Sequence, residues 1–519
     1  MLKKTKALLN SSAGLFLCLG ILLGLGLFSC SAKQTTHQYP DTKILKRGNG
    51  AEVETLDPQL IRSESAGNVA RDLYEGLLTE AADGSLVPGV AVSWTYDPET
   101  LCYRFDLRPE AKWSNGDRVS AQDFVRGMQY ALDVKNNSPY RELLNSIIKL
   151  EAISTVELHL CTKHAVPYFL ELLALPVSFP RHAVSAAKAP VSNGAYRLSD
   201  WAPQEKIVLT KNPHFHAADT VYFEQVEIVT TEDPASELKR FLAGELDITV
   251  TVPPGDVPRL KQQHSEALRI APVLNSYFYG FNLSRPPFQN KPELREALSL
   301  AIDREVLADK VLGSGEQAAW TLVPPGMPDY TSPETKYANL PPAQRQARAQ
   351  KLYADAGYSA DQPLQIQLRY NTSTVHKKIA VAVASMWKQT LGVKVDLYNE
   401  EWKVFLDNRR QKNTQVFRSG WIADVNDASN YLELFSAAHP LNDYAYHKLE
   451  FERLLESAKT ASSERTSILQ AAEKQLLDDH AIIPLYFYVS KHMVNPEIKG
   501  WINNSLDHHP SRFLFRTSH

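Results

Sequence analysis

The amino-acid sequence predicts an α/β protein of at least two lobes. Stretches with the 3.6-residue spacing of helices succeed shorter runs with the strict alternation of strands, and the connections between them are short. Paired prolines at Pro286-Pro287, Pro324-Pro325 and Pro341-Pro342 divide the second half of the chain. A chain of 519 residues has room for about three domains.

Five stretches have helical periodicity. In chain order they are Asn68–Leu78, Ala121–Leu132, Glu293–Leu312, Ala343–Ala356 and His376–Leu391. The last follows the cap cluster Asn371-Thr-Ser-Thr374 and ends before Gly392, as helices commonly do. The run Gly392–Leu397 then alternates as a strand, as do Leu101–Leu107 and Val156–Cys161. Helices followed directly by strands favour α/β layers.

The first residues have the pattern of an export signal. Three lysines within Met1–Lys6 precede the nearly uncharged run Ala7–Phe28, which corresponds to the charged and apolar regions of a signal peptide. The most apolar part, Gly14–Phe28, has 15 residues, or about 22 Å of helix, and is too short for a hydrocarbon core of about 30 Å. An uncleaved anchor that extends back through Ser11 and Ser12 is the alternative.

The signal ends at Leu27-Phe-Ser-Cys30, which resembles a bacterial lipobox. In such a motif the cysteine thiol is acylated and the cysteine becomes the mature N-terminus. We therefore expect residues 1–29 to be a lipoprotein signal peptide and 30–43 to be a tether. The mature chain would lie in the periplasm or cell envelope, anchored by lipid at Cys30. An unmodified cysteine after the signal is the alternative.

Charge and cysteine content exclude several classes of protein. Lys and Arg total 56 against 59 Asp and Glu, for a net charge of −3, so the chain lacks the basic footprint of a nucleic-acid-binding protein. Four cysteines are too few for a disulfide scaffold, and their spacing fits no zinc site. Cys102 and Cys161 would remain after export and can pair only if their Cα atoms lie within about 7 Å. We favour two buried free thiols over a disulfide.

The motifs of common enzymes are absent from the sequence. It contains no G-x-S-x-G elbow, no H-E-x-x-H, no phosphate loop and no G-x-G-x-x-G. The pairs His214-Phe-His216 and His508-His509 could touch a metal, but no cysteine or carboxylate completes a recognisable ligand set. We interpret them as solvated loop histidines and Asp478-Asp479-His480 as a polar helix end. We therefore predict no catalysis, no cofactor and no metal.

Several runs of the chain, taken in order, resemble the solute-binding proteins of peptide ABC transporters, known as family 5. The matching runs are Leu73–Leu77, Val87–Trp94, Lys112–Gly116, Ala121–Phe124, Ser192–Tyr196, Ala354–Tyr358, Tyr370–Ser373, Arg418–Asp424 and Ile483–Val489. Each run is moderately specific, and their joint order carries the resemblance. It extends from about residue 44 to the C-terminus.

The resemblance implies a fold of the periplasmic-binding-protein type (cluster C-like), with two hinged lobes and an inserted third domain. The implied divisions are 44–74, 182–274 and 490–519 for lobe I, 75–181 for domain II, and 275–489 for lobe III. Such a protein would be a monomer that captures oligopeptides between its lobes by hinge motion and delivers them to the permease subunits of an ABC transporter. A receptor specialised for murein (cell-wall) peptides is one alternative. A surface adhesin or enzyme on the same scaffold is another.

The resemblance also implies how the peptide backbone and amino terminus would be held. Asp424 would bind the ammonium group, and Arg418 would bond ligand carbonyls or hold Asp424 in place. The run Gly420-Trp421-Ile422 would pair with the extended peptide backbone. The alternatives are a turn glycine at Gly420 and a structural salt bridge at Arg418.

For the other parts of a peptide, the resemblance implies cations and flat aromatic walls. The carboxylate would be bound by Arg409, Arg410 and His376, and the alternative is a solvated basic run over Arg409–Lys412. The expected side-chain pockets are aromatic, with core packing as the alternative for each of Trp402, Tyr140, Tyr277, Phe278, Tyr279 and Tyr488. Arg62 and Glu64 replace residues of different charge near the amino-terminal end of the site. Asn275 and Ile422 stand where some relatives have a disulfide.

Overall fold

The computed structural model describes residues 40–184, 190–327, 329–423, 425–461 and 463–517. The predicted signal peptide and lipidation residue Cys30 lie outside these ranges, as does Asp424. Residues from Thr42 onward form one compact unit. Within the described ranges, no helix has the length and apolar character needed to cross a bilayer.

Strands and helices succeed one another throughout the described residues, which confirms the predicted α/β class. The strands are β1 (Ile44–Gly48), β2 (Leu78–Glu80), β3 (Leu86–Pro88), β4 (Ala91–Asp97), β5 (Cys102–Leu107), β6 (Ile147–Ala152), β7 (Glu157–Thr162), β8 (Tyr196–Ala202), β9 (Lys206–Lys211), β10 (Gln225–Val229), β11 (Leu268–Phe281), β12 (Gln317–Ala318), β13 (Gln365–Asn371), β14 (Lys394–Glu400), β15 (Val416–Ile422), β16 (Ile482–Met493), β17 (Ile498–Lys499) and β18 (Phe515–Arg516). The helices are α1 (Glu64–Leu73), α2 (Ala121–Leu132), α3 (Phe169–Leu172), α4 (Pro234–Leu242), α5 (Val257–Gln263), α6 (Pro292–Leu300), α7 (Arg304–Val306), α8 (Pro342–Asp355), α9 (Thr374–Leu391), α10 (Trp402–Arg410), α11 (Ser429–Leu432), α12 (Leu449–Thr460) and α13 (Arg465–Asp478).

The predicted helix Glu293–Leu312 is interrupted in the structure. Helix α6 ends at Leu300, and the chain resumes as α7 and a π-helical turn over Leu307–Leu312. The carboxylate of Asp303 accepts a hydrogen bond from the Val306 N–H at 2.9 Å and so acts as a new N-cap. An N-cap residue has non-helical backbone angles, so a helix cannot run continuously through Asp303. The prediction of one continuous helix was therefore wrong.

A six-stranded mixed sheet has the order β12-β16-β11-β15-β13-β14. Strand β11 is antiparallel to β15 and β16, whereas β13 is parallel to β14 and β15. A four-stranded sheet, β1-β10-β9-β8, contains the amino-terminal strand, and the order β4-β5-β7-β6 forms an antiparallel sheet. Ile248 bridges Arg47 of the first strand to Val494, directly after β16. The four-stranded sheet is thus joined to the end of the six-stranded one.

The two longest strands, β11 and β16, connect two apolar cores. At one end Met493 packs with Val257 and Leu260, and at the other Tyr279 and Ile483 belong to a core with α6, α8 and α9. Their ladder is irregular between Pro272 and Ser276, where β11 has two more residues than β16. The predicted lobe boundaries, 274/275 and 489/490, fall beside this irregularity. The division into three domains remains a prediction.

The C-terminal segment returns to the amino-terminal part of the molecule. The N–H and hydroxyl of Ser511 donate to the buried carboxylate of Asp72 at 2.7 and 2.6 Å. Arg512 pairs with the buried Glu75 at 2.8 Å. Leu514 packs into the same apolar core as Leu45. The last residues of the chain therefore complete the core that its first strands begin.

Cys102 and Cys161 form a disulfide bond, so the prediction of two buried free thiols was wrong. Strands β5 and β7 are antiparallel neighbours, and their register places Cys102 directly opposite Cys161, with 4.0 Å between the Cα atoms. Alternation in the sequence shows which face of a strand a residue occupies. It does not show which residue of another strand lies opposite.

Candidate functional site

A cavity of about 790 Å³ lies beside the irregular segment of β11, and its volume is typical of small-ligand sites. Its walls come from the N-terminus of α1, the irregular segment of β11, the end of β15 and the C-terminal half of β16. The lining includes Ser63, Glu64, Arg71, Tyr140, Pro176, Leu274, Asn275, Ile422, Ala423, Tyr488, Lys491, His492, Asp507 and His508. The wall is partly apolar, and titratable groups are concentrated around β16 and the C-terminal segment.

Strand β15 presents an unpaired edge beside this cavity. It pairs with β11 along its whole length, but β13 pairs with it only at Val416 and Phe417. In an antiparallel ladder every second residue bonds to the same neighbour. Since the Ala423 N–H donates to the Leu274 carbonyl at 3.0 Å, the backbone groups of Gly420 and Ile422 point away from β11. On the side away from β11, no strand among the described residues pairs with Gly420 or Ile422.

Gly420 permits the close approach of β11 at this edge. A Cβ atom on Gly420 would lie 2.8 Å from the carbonyl oxygen of Ser276. The residue sits inside a strand opposite Tyr277, so the interpretation as a turn glycine was wrong. Ile422, two residues on, is 68% exposed, and Trp421 donates its indole N–H to Asn430 at 2.7 Å.

Arg418 lies in a group of tyrosines close to His376. Its guanidinium carbon is 5.2 Å from the ring centre of Tyr277, and Tyr488 meets that ring edge-on at 6.1 Å. The Tyr277 hydroxyl is 3.4 Å from Nδ1 of His376. The buried Nε of Arg418 has no hydrogen-bond partner, and no carboxylate in the described part of the chain forms an ion pair with this guanidinium.

The electrostatics of this group suit an incoming anion. Burial, and then the charge of Arg418, lower the pKa of His376 to about 4. The imidazole is therefore neutral at pH 7, which leaves Arg418 as the fixed cation. An anion placed here would meet a guanidinium, whose charge-assisted hydrogen bonds are among the stronger ones in proteins.

The other predicted cations do not reach this group. Arg409 is buried and pairs with the buried Asp443 at 2.9 Å, so its charge is already neutralised in this structure, and its role in binding a ligand carboxylate stays a prediction. Arg410 is exposed on α10 and lies 3.8 Å from Asp407. Neither arginine lines the cavity. In the basic run Arg409–Lys412, Arg409 thus forms a structural ion pair and Arg410 has an exposed side chain.

The predicted aromatic residues divide between the cavity and the cores. Tyr140 and Tyr488 line the cavity, as does Glu64 at the start of α1. Phe278 and Tyr279 are fully buried and belong to apolar clusters, which favours core packing for both residues. Tyr277 is also buried but touches the arginine group described above. Trp402 is 46% exposed and stacks on Phe405, outside the cavity lining.

Several buried polar groups around the cavity were not predicted. Lys491 pairs with Glu316 at 2.9 Å, and His508 contacts Glu80 at 2.7 Å. His216 contacts Glu75 at 2.7 Å. The interpretation of these histidines as solvated loop residues was therefore wrong. Their partners lie far away in the sequence, so no local motif could have revealed them.

One cluster in the described residues has the composition of a metal site. Its three members are His492, Asp507 and His509, whose ligand atoms all lie within 4.8 Å of one another. His492 and Asp507 belong to the cavity wall. His509 lies behind them, against Trp501.

The fold is of the periplasmic-binding-protein type, and its cavity lies beside an open strand edge. Residues 85–442 match the family described as bacterial extracellular solute-binding proteins, family 5 middle. The chain belongs to this family of solute-binding proteins.

Relatives and solved structures support the assignment over nearly the whole chain. The periplasmic oligopeptide-binding protein OppA of Escherichia coli is 34% identical over 509 residues, covering 92% of this chain and 93% of the relative. The unliganded open form of the periplasmic murein tripeptide-binding protein MppA aligns with a TM-score of 0.85 and 32% identity, over 92% of this chain and 98% of that one. The Haemophilus influenzae OppA complex with RPPGFSPFR aligns with a TM-score of 0.73 and 31% identity, over 92% and 100%.

Proposed function

We propose that this chain captures oligopeptides in its cavity and delivers them to the permease of an ABC transporter, anchored to the membrane by lipid at Cys30. The observation that carries the proposal is the free edge at Gly420 and Ile422 beside a cavity of about 790 Å³. A peptide that adds to such an edge is held by its backbone. Since every peptide has the same backbone, one edge can serve many sequences.

The two ends of the peptide would meet opposite charges. Asp424, between Ala423 of the cavity wall and the buried Val425, remains our proposed partner for the peptide ammonium. Leaving a desolvated charge unpaired costs about 3–5 kcal/mol, so a free amino terminus should be strongly preferred. Arg418, with the neutral His376 beside it, is the proposed partner for a peptide carboxylate. The absence of a paired carboxylate among the described residues supports that role.

Binding would be coupled to closure of the lobes. The TM-score with the unliganded open form of MppA, 0.85, exceeds that with the peptide complex of OppA, 0.73, which supports an open state for this structure. The irregular segment of β11 between Pro272 and Ser276 is the proposed hinge. A ligand that contacts both sides of the cavity would shift the population toward the closed state.

The proposal is tested by calorimetric titration of the chain after unfolding and refolding, which removes any carried-over ligand. The titrants are a tetrapeptide and its N-acetylated twin. We expect the free peptide to bind and acetylation to weaken binding by about 100-fold, or roughly 2.7 kcal/mol. Asp424→Asn should remove the difference between the two peptides, whereas Asp407→Asn, at the exposed carboxylate on α10, should preserve it.

Equal binding of both peptides would contradict the role of Asp424. If neither peptide binds, a murein tripeptide is the next titrant, because the chain is also similar to a murein tripeptide-binding protein. Failure of all three would contradict peptide capture itself.

A further inference from the structure

Two histidines and one aspartate converge on a single point of the cavity wall. Nε2 of His492 lies 3.0 Å from both carboxylate oxygens of Asp507, and Nε2 of His509 lies 3.2 Å from one of them. The side chains of His492 and His509 are 7% and 5% exposed, and that of Asp507 is 21% exposed. The three groups are brought together by the end of β16 and the C-terminal segment, since His492 and Asp507 are 15 residues apart.

The orientation of His492 is fixed by a contact behind it. Its Nδ1 lies 3.1 Å from the carbonyl oxygen of Thr249, which can only accept a hydrogen bond. A proton therefore sits on Nδ1, and Nε2 faces Asp507, to whose carboxylate it can only donate. A bound ion would displace this second proton, since a metal ligand must be the neutral imidazole. Histidines that bind metals are commonly held in this way, with the second ring nitrogen donating to a backbone carbonyl or carboxylate.

The distances from the Asp507 carboxylate to the two imidazoles are close to those between ligands of a tetrahedral ion, and all the ligand atoms lie within 4.8 Å of one another. Zinc binds histidine nitrogen and carboxylate oxygen at about 2.0–2.2 Å, which places neighbouring ligand atoms roughly 3.3 Å apart. The observed contacts of 3.0 and 3.2 Å are close to that value. An ion would replace the direct contacts between the carboxylate and the two imidazoles.

The cluster is covered by an aromatic ring on one side and borders the cavity on another, and Arg47 donates a hydrogen bond to the backbone carbonyl of His509 at 2.9 Å. The ring of Trp501 stacks on His509 at 3.6 Å and lies 5.0 Å from His492, so one side of the group is dry. The adjacent Lys491 is neutralised by Glu316 at 2.9 Å. His492 and Asp507 both line the cavity, and the open side of the group faces it.

We propose that His492, Asp507 and His509 bind one divalent transition-metal ion of the zinc class, with the fourth coordination position open to the cavity. A three-ligand set with an open position is typical of zinc sites that exchange water for another ligand. The open position would accept a nitrogen or oxygen atom of a molecule in the cavity. This site goes beyond peptide capture and does not depend on it.

The proposal is tested by calorimetric titration of the chelator-treated chain, produced without a histidine tag, with zinc alone. We expect one ion per chain. Asp507→Asn and His509→Gln should each weaken binding by at least about 100-fold, because even an outer partner of a metal ligand contributes 10–100-fold. His159→Gln, which removes a half-buried histidine paired with Glu157 outside the cavity, is the matched control and should bind like the wild type.

A second measurement uses only the wild type, so it tests the proposal even if a variant fails to fold. Crystals of the wild type soaked with zinc should show an anomalous peak between the two Nε2 atoms and the Asp507 carboxylate, and Co²⁺ should give the absorption of a four-coordinate ion. The proposal is overturned if the wild type binds no stoichiometric zinc, if Asp507→Asn binds it unchanged, or if the ion lies elsewhere. The peptide titrations use no zinc, so failure of one proposal is distinguishable from failure of the other.

Discussion

Gly420 is the residue at which the backbone of the site is most tightly constrained. Because a Cβ would lie 2.8 Å from the Ser276 carbonyl oxygen, Gly420→Ala should push β15 away from β11. We expect a loss of about 1–3 kcal/mol in the free energy of unfolding, the usual cost of overpacking, and weaker peptide binding at the displaced edge. Urea unfolding and peptide titration measure the two effects.

Gly255→Ala is the matched control for this substitution. A Cβ on Gly255 meets no atom within 4 Å, so the change should stay within about 0.5 kcal/mol, as for most surface substitutions. Equal stability of Gly420→Ala and this control would contradict the prediction. It would show that the close approach of β11 and β15 does not require glycine at position 420.

At the residue scale, some of the residues predicted to bind a ligand lie at the cavity and others do not. Tyr140, Tyr488 and Glu64 line the cavity, and their contact with a ligand stays a prediction. Arg409 does not, because its charge is taken by Asp443, and the distance in the chain hides that pairing. His508 and Glu80 are 428 residues apart, so no sequence pattern could have linked them. The position of Asp424 stays a prediction.

Among the elements, strands β5 and β7 are covalently linked by Cys102 and Cys161. The bond closes a loop with a sequence separation of 59 residues, and such a link stabilises chiefly by restricting the unfolded chain. The double variant Cys102→Ala, Cys161→Ala should lose about 2–4 kcal/mol of unfolding free energy, measured by urea unfolding. Reductant should weaken the wild type by a similar amount and leave the double variant unchanged. A reductant effect on the double variant would contradict this interpretation.

Periodicity and capping residues in the sequence predicted most of the individual helices and strands. They did not predict which elements pair with one another. Helix α2 begins and ends at the predicted residues, and α9 ends before Gly392, which has a positive φ of 75°. The break at Asp303 required knowing that its side chain would cap the next turn. The six-stranded sheet places β15 between β11 and β13. This order depends on pairing between strands that are far apart in the sequence, such as Tyr277 of β11 with Gly420 of β15.

At the scale of the whole molecule, Glu171 joins α3 to the loop that follows Asp424. Its carboxylate accepts a hydrogen bond from the Asn426 N–H at 2.6 Å, and Val425 packs into the amino-terminal core. The pKa of Glu171 is raised to about 7, and burial is the largest cause. The charges of Asp427 and Glu80 add to the increase, whereas the N–H of Asn426 and the charge of Arg465 oppose it. The folded protein thus holds a proton that the unfolded chain releases near pH 4.5.

This proton makes stability depend on pH. The contribution of Glu171 is fully present below pH 4.5 and is lost as the pH rises through about 7, since the unfolded state then binds fewer protons. Glu171→Gln keeps an oxygen for the Asn426 N–H and has no charge to bury. We therefore expect the variant to be more stable than the wild type at pH 8, by on the order of 1–3 kcal/mol, with the two converging at pH 4.5.

Urea unfolding at the two pH values measures this difference. Glu99→Gln, at an exposed carboxylate, is the control and should follow the wild type at both values. The prediction would be contradicted if the variant and the wild type lost the same stability between pH 4.5 and pH 8. That result would show that the folded state does not hold a proton on Glu171.

The return of the C-terminal segment has a consequence for biosynthesis. A polypeptide leaves the ribosome amino end first, so Asp72 and Glu75 are made long before Ser511 and Arg512, which neutralise or hydrogen-bond them. Until Ser511 and Arg512 have been made, the first core would enclose carboxylates without these partners, at a cost of several kcal/mol each. We therefore expect this part of the molecule to reach its native arrangement only after Ser511 and Arg512 have been made, because its buried carboxylates depend on residues more than 400 positions away in the chain.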